Sequence, residues 1–351
     1  MKRIVVLHSN IPFKSGGAEL LVEGLVEAIN ERLPDAQAEL FKLPFKWYPE
    51  EQILTDMMAW RLLDFTEADG DPIDLVIGTK FPSYAVNHPN KVVWLVHQHR
   101  VFYDLEFGPY DKLVVSGREL AVRKRVREAD TATLSEARAL FTISDTVSQR
   151  LKQFNGLNST PVTPPSRYYD RIQPGAYGDA IVCVARIDRL KRQKLLIEGL
   201  AHSKTTRVKI IGSGNEAYFQ ELQQLVDKLG LQDRCELLGF VSEEELLEHL
   251  STARAVFYAP FDEDYGYATV EGFHARKPVI TCADSGEVAN MVRSTGSGWV
   301  VEPIPARIGG LLDNVSGMSD TALAEKAEAG YLESQSVNWD NVLNQLVIPH
   351  L

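Results

Sequence analysis

Cysteine, positive charge and long apolar runs are what this sequence has least of, and each shortage closes off a class of function. Three cysteines occur in 351 residues, Cys183, Cys235 and Cys282, each alone inside an apolar run. Odd in number and far apart, they exclude a disulfide framework or a zinc site and read as buried, reduced thiols. No stretch approaches the about 18 apolar residues of a spanning helix. The apolar start at Ile4 ends at His8-Ser9-Asn10, too short for a secretory signal. Lysine and arginine number 37 against 48 acids, a formal net charge of −11. That balance excludes a general nucleic-acid binder. A cytoplasmic protein is expected, with membrane contact only at its surface.

What is present is ordinary globular usage, 44% hydrophobic and 24% charged, over a length that suits two domains. Short β-branched runs alternate with helical patterns nearly throughout, which predicts an α/β chain with parallel sheets and crossover helices. In the first half, strands are expected at 4–7, 39–42, 75–77, 92–96 and 140–143, with an amphipathic helix from about 17 to 31. Prolines interrupt the pattern at 161–166 and again near 174, marking a linker. Strands then recur at 181–185, 208–211, 236–238, 255–258, 279–282 and 299–301, with helices near 193–201, 216–229, 243–251 and 269–275. The expected architecture is two Rossmann-like domains, residues 1–165 and 166–335, facing each other across a cleft. Ligands of open α/β sheets bind beyond the carboxyl ends of the strands, so that cleft is the expected site.

Several segments could carry chemistry. Ala259-Pro260-Phe261-Asp262-Glu263-Asp264-Tyr265-Gly266-Tyr267-Ala268-Thr269-Val270-Glu271 leads from a strand, through an acidic loop, into a helix. The first helical turn offers N–H groups and a positive dipole end to a phosphate. An acidic cap that stabilises the helix start explains the local pattern as well. Val184-Ala185-Arg186-Ile187-Asp188-Arg189-Leu190-Lys191-Arg192 delivers Arg186 at a strand end and Lys191 just before a helix. Two such cations suit a diphosphate leaving group, although a solvated helix start has the same composition. Gly212-Ser213-Gly214-Asn215-Glu216-Ala217 follows a strand and matches the Gly-x-Gly-x-x-Ala turn of dinucleotide binders. It lies deep in the chain, and the next strand supplies only Glu236 as a ribose acid, which weakens a dehydrogenase reading. Ser15-Gly16-Gly17-Ala18-Glu19 opens the first helix. Trp94-Leu95-Val96-His97-Gln98-His99-Arg100 ends a buried strand in a polar cluster.

In this order the elements resemble family 4 of the glycosyltransferases, retaining enzymes of the two-domain GT-B type with a Glu-x7-Glu stretch in the second domain. The resemblance runs from Gly16-Gly17 to Trp339. It implies that Glu263 meets the donor sugar, that Glu271 meets the ribose, and that the Tyr265, Gly266, Tyr267 and Ala268 stretch faces the diphosphate. Arg186 and Lys191 would hold the leaving group, and Gly212 with Phe240-Val241 would border the nucleobase. Gly16 and Gly17 would lie near the donor phosphates or acceptor, and His97 would reach the donor sugar. His99 and Arg100 become secondary candidates for the acceptor. A terminal helix over 336–351 would return to the first domain.

The implied activity is transfer of a hexose from a nucleotide-diphosphate sugar to a saccharide or lipid-linked acceptor, in bacterial polysaccharide or glycolipid assembly. No cofactor beyond the donor is implied. No metal is expected either, because Asp262-Glu263-Asp264 belongs to the Glu-x7-Glu stretch rather than to an Asp-x-Asp clamp. A nucleotide-sugar epimerase of the same fold and an inert sugar-nucleotide-binding protein are the alternatives. The chain departs from the family pattern in two places. Ala185 and Arg192-Gln193 replace glycines around the Arg186–Lys191 element, and Glu287 and Asn290 alter the loop that begins at Asp284. Arg118, Arg123, Lys124, Arg125 and Arg127 form a basic helical face, read as solvated, with docking to anionic lipid as the alternative.

Overall fold

The computed structural model describes residues 1–13, 16–105 and 117–351, with backbone alone at Gly117 and Arg118. Ser15 lies outside the described residues. The chain divides into two compact units, Met1–Arg167 with Asn338–Leu351, and Tyr168–Val337. The division falls at 167, where the prolines had suggested 165.

Unit 1 is built on β1 (Lys2–Asn10), β2 (Ala36–Pro44), a short antiparallel pair β3 (Glu67–Ala68) and β4 (Asp71–Pro72), then β5 (Leu75–Gly78), β6 (Lys91–Leu95), β7 (Ala139–Thr142) and β8 (Thr160–Pro161). Six of these form one parallel sheet in the order β2-β1-β5-β6-β7-β8. Its central strands are buried on both faces, as the unbroken runs Leu75-Val76-Ile77 and Val92-Val93-Trp94-Leu95 require. Helices α1 (Gly17–Arg32), α2 (Glu51–Leu62), α3 (Gly117–Ser135) and α4 (Asp145–Asn155) connect the strands. Ser144 starts α4 by accepting the Val147 N–H at 3.2 Å, and Gly156, in the left-handed region, ends it.

Unit 2 repeats the plan with β9 (Ala180–Val184), β10 (Arg207–Ile211), β11 (Cys235–Gly239), β12 (Ala255–Phe257), β13 (Val279–Cys282) and β14 (Gly298–Val301). They form a second parallel sheet in the order β11-β10-β9-β12-β13-β14. Its helices are α5 (Gln193–Leu200), α6 (Glu216–Lys228), α7 (Glu243–Ser251), α8 (Tyr267–His274), α9 (Glu287–Thr295), α10 (Pro305–Gly317) and α11 (Asp320–Ser334). Cys183, Cys235 and Cys282 are buried free thiols in this sheet, and burial pushes each up to about 12. The strand order reverses between β1 and β5 in unit 1, and between β9 and β12 in unit 2. At such a reversal the loops leave in opposite directions and open a crevice beyond the carboxyl ends.

The last residues rejoin unit 1, but not as the single helix expected over 336–351. A short α12 (Trp339–Val342) widens into a π turn over Leu343–Val347 and closes with a 3-10 turn at Ile348–His350. Trp339 meets the Trp94 ring edge-on at 6.5 Å and presses on Gly24, where a Cβ would lie 2.5 Å from its ring. Val342, Leu343, Leu346 and Val347 are buried. The wider turn brings Leu346 and Val347, adjacent in sequence, into the interior together.

Candidate active site

The chemistry-bearing residues of unit 2 gather at its strand-order reversal. Beyond β9 the chain passes Arg186 and enters a 3-10 turn, Arg189–Lys191, capped by Asp188 Oδ1 accepting the Leu190 N–H at 2.9 Å. Beyond β12 it passes Tyr258 and the acidic loop before α8. Lys191 Nζ crosses between them, donating to Glu263 Oε2 at 2.7 Å and to the Tyr258 hydroxyl at 3.0 Å. The Lys191 and Glu263 side chains are only 17% and 20% exposed. Burial works against the lysine charge, but Tyr258 and Glu263 outweigh it and raise the ammonium above its ordinary range. Burial likewise raises the Tyr258 hydroxyl. Lys191 is therefore a fixed cation at neutral pH, and Tyr258 is a neutral donor and acceptor beside it. Arg186 has a different partner, Asp188 at 3.6 Å, and its side chain is 60% exposed. Sequence reasoning had missed Tyr258, which ends a buried strand and looks like core.

Helix α8 starts after Gly266 without a side-chain cap, at the end of the loop that carries Glu263. Tyr265 and Tyr267 meet edge-on at 5.0 Å and brace that helix start. Ala268 and Glu271 are buried, the latter at 8% exposure in the next turn. The glycines of the Gly212–Gly214 turn allow a close backbone approach. A Cβ on Gly212 would lie 2.0 Å from Ala185 O, and one on Gly214 2.4 Å from Ile187 O. The turn is laced to the strand end that delivers Arg186 by Ile187 N–H to Ser213 O and Asn215 N–H to Ile187 O, both 3.0 Å. Asn215 then caps α6, accepting the Tyr218 N–H at 2.9 Å. Gly212 N–H donates to Gly239 O at 2.8 Å, which brings the turn beside half-buried Val241 and exposed Phe240.

In unit 1, Gly16 caps α1 in extended backbone, and Gly17 is its first residue. Glu19, one turn on, contacts His8 Nε2 at 3.4 Å and Lys80 Nζ at 3.2 Å, while His8 Nδ1 contacts Thr79 Oγ1 at 2.9 Å. Burial alone would raise the Glu19 carboxyl, but His8 and Lys80 hold it down at about 2. Burial pushes His8 below its ordinary range. His8, Thr79 and Lys80 stand at the reversal between β1 and β5 and were not foreseen; a chain that places β5 beside β1 brings them together across some seventy residues.

His97 follows β6, half-buried, with Nδ1 2.6 Å from Gln98 O. His99, a secondary candidate for the acceptor, is half-buried. Its ring packs among Phe45, Phe81 and Phe102 at 5.8, 5.5 and 4.7 Å, and burial drives it down to about 3. Arg100 donates to Asp104 at 2.8 Å. The basic face of α3 needs correction. Arg123 is 2% exposed with its guanidinium over the Phe102 ring, and Arg127 lies over Tyr103 and donates to Phe102 O at 2.6 Å. Guanidinium planes stack on aromatic faces, so these two cations turn inward. Lys124 and Arg125 remain on the surface, and the Arg118 side chain lies outside the described residues. Among the described residues no helix is long and apolar enough to cross a membrane.

Comparison with known proteins finds a family model, relatives and solved structures like this chain. Residues 177–315 match the family model described as glycosyl transferases group 1. A D-inositol 3-phosphate glycosyltransferase of Mycolicibacterium smegmatis is 26% identical over 239 residues, 66% of this chain and 54% of that protein. One from Jonesia denitrificans is 27% identical over 209 residues, 55% of this chain and 49% of that protein. The chain thus spans about half the length of the curated relatives it matches. Among solved structures, sucrose-phosphate synthase from Thermosynechococcus elongatus superposes with a TM-score of 0.77 at 16% identity, covering 98% of this chain and 97% of that one. Anabaena HepE, solved in complex with UDP-glucose, gives 0.69 at 15% identity, covering 99% and 98%. At these identities the solved structures speak for the fold, two Rossmann-like units of the GT-B type.

Proposed function

We propose that this chain, whose residues 177–315 match the family model of the group 1 glycosyl transferases, is a retaining, metal-independent hexosyltransferase. Its donor would be a nucleotide-diphosphate hexose and its acceptor a saccharide or a lipid-linked saccharide. The observation that carries the reading is the Lys191–Glu263 pair at the strand-order reversal, 2.7 Å apart and largely shielded from water, at the head of α8.

In the reaction the bond from the anomeric carbon to the diphosphate breaks and its electron pair leaves with the diphosphate. An acceptor hydroxyl forms the new bond to the same carbon and passes its proton to the departing diphosphate oxygen. Negative charge grows on the departing oxygen, and a fixed ammonium at Lys191 stabilises that charge without reorganising. Arg186, solvent-exposed before donor enters, contributes a second cation. Glu263 meets the hexose and Glu271 the ribose, as the sequence resemblance implies. Gly212 and Val241 border the base, Tyr265 to Ala268 adjoin the diphosphate, and Gly16, Gly17 and His97 keep the donor-side roles that the sequence resemblance implies. Retention and the absence of a metal rest on that resemblance, and so does a role in polysaccharide or glycolipid assembly.

Incubation with UDP-, GDP- and ADP-hexoses and a panel of acceptors, D-inositol 3-phosphate among them, tests the reading. Nucleoside diphosphate release with a new glycoside is expected. Epimerised nucleotide sugar would identify an epimerase instead, and saturable binding without turnover an inert binding protein.

A further inference from the structure

Arg192 stands at a position where the resembling family has a glycine, and its backbone lies in the left-handed region that favours glycine, φ 53°. A long side chain is disfavoured there unless contacts hold it. The Arg192 guanidinium, 11% exposed, makes those contacts. Nε donates to Ala259 O at 2.7 Å, and Nη2 donates to Pro260 O at 2.9 Å. Nη1 and Nη2 form a fork onto both carboxylate oxygens of Asp284, each at 2.8 Å, and Nη2 also reaches Ser285 Oγ at 3.2 Å. One planar group thereby joins the loop after β12 to the loop after β13.

The same two loops are laced along their backbones. Asp262 N–H donates to Asp284 O at 2.9 Å, Glu263 N–H to Ser285 O at 3.3 Å, and Glu287 N–H to Glu263 O at 3.0 Å. Gly286, at φ 60°, makes this approach possible, since a Cβ there would lie 2.5 Å from Glu263 O. Lys191 holds the Glu263 carboxylate, and the next residue holds the backbone on which Glu263 stands.

We infer that Arg192, through its fork onto Asp284, is a positioning residue that fixes the Glu263 loop so that its carboxylate meets the donor hexose in one orientation. The inference rests on the reading of Glu263 as a donor-sugar contact. It links the two segments at which the chain leaves the family pattern, the Arg192 site and the loop from Asp284 to Asn290, as the two ends of one clamp. A glycine at 192 would suit the backbone better, so a purely conformational role forecasts a harmless Arg192→Gly.

Two measurements test it on the full chain. In the first, amide exchange without ligand is compared in wild type, Arg192→Gly and Arg192→Lys. Exchange at Asp262, Glu263 and Glu287 is expected to quicken by about tenfold in both variants, because a lysine point charge cannot replace the fork. In the second, turnover is followed with whichever UDP-, GDP- or ADP-hexose the wild type uses fastest. Arg192→Gly is expected to lower kcat by about 10- to 100-fold, with a smaller change in KM. It should add nothing in a Glu263→Gln background. Unchanged exchange at the three amides, or full multiplication of the Arg192→Gly and Glu263→Gln losses, overturns the inference. If the wild type turns over none of these donors, the proposed function fails, and the exchange measurement still decides whether the clamp holds the loop.

Discussion

Replacing Glu19 by glutamine removes the negative charge that ties the start of α1 to His8 on β1 and to Lys80, two residues past β5. The carboxyl falls from an ordinary 4.5 to about 2 in the folded protein, held by His8 and Lys80 against its own burial. At about 1.4 kcal/mol per pH unit, that depression corresponds to at most about 3.5 kcal/mol of stability in the ionised form. The side chain is 15% exposed, so solvent screening removes only part of this. A depressed carboxyl contributes fully above its unfolded value, and the contribution disappears as the pH falls from 4.5 towards 2. His8, pushed down by burial, acts in the same sense: below 6.5 the unfolded chain takes up a proton that the folded one resists. Urea unfolding of wild type and Glu19→Gln from pH 7 to pH 3.5 measures the difference directly. The variant should be less stable by about 2 to 3 kcal/mol at pH 7, and the gap should narrow by about 1 kcal/mol at pH 3.5. A gap that stays constant over this range, or no destabilisation at pH 7, would refute the argument.

Other consequences are more direct. Lys191→Ala should lower kcat by about 100-fold or more while donor KM changes less, because the leaving-group charge is larger in the transition state than in the bound donor; steady-state kinetics separate the two. Transfer should survive EDTA, and a loss restored by magnesium would mean that Asp262 and Asp264 bind a metal. Trp339→Ala should cost unit 1 about 3 to 5 kcal/mol in chemical denaturation, since its ring fills the space between Gly24 and Trp94.

Much of this was legible in the sequence because apolar runs and glycine-bearing turns are local signals. The alternation of runs such as 75–77 and 92–95 with helical patterns forecast both parallel sheets, and Arg186, Lys191 and Glu263 were expected just beyond strand ends, where the loops after β9 and β12 carry them. Helix α2 escaped notice although Ile53, Met57 and Trp60 are buried along one side, because exposed Met58 and Leu62 blur its apolar face. The direction of a charged side chain is not local at all. Arg123 and Arg127 looked like solvated cations until the rings of Phe102 and Tyr103 were placed beneath them. The aromatic surroundings of His99 could not be read locally either, since Phe45 is distant in sequence. Arg192 looked like a lapse from a glycine pattern, and its partner Asp284 lies 92 residues away.

The central claim, retaining hexosyl transfer at the Lys191–Glu263 pair, is tested most directly by proton NMR at the anomeric carbon during turnover of an α-linked nucleotide hexose. The account expects an α-linked product from the wild type, and the same product formed about 100-fold more slowly by Lys191→Ala. A β-linked product, or an unchanged rate in Lys191→Ala, would contradict it.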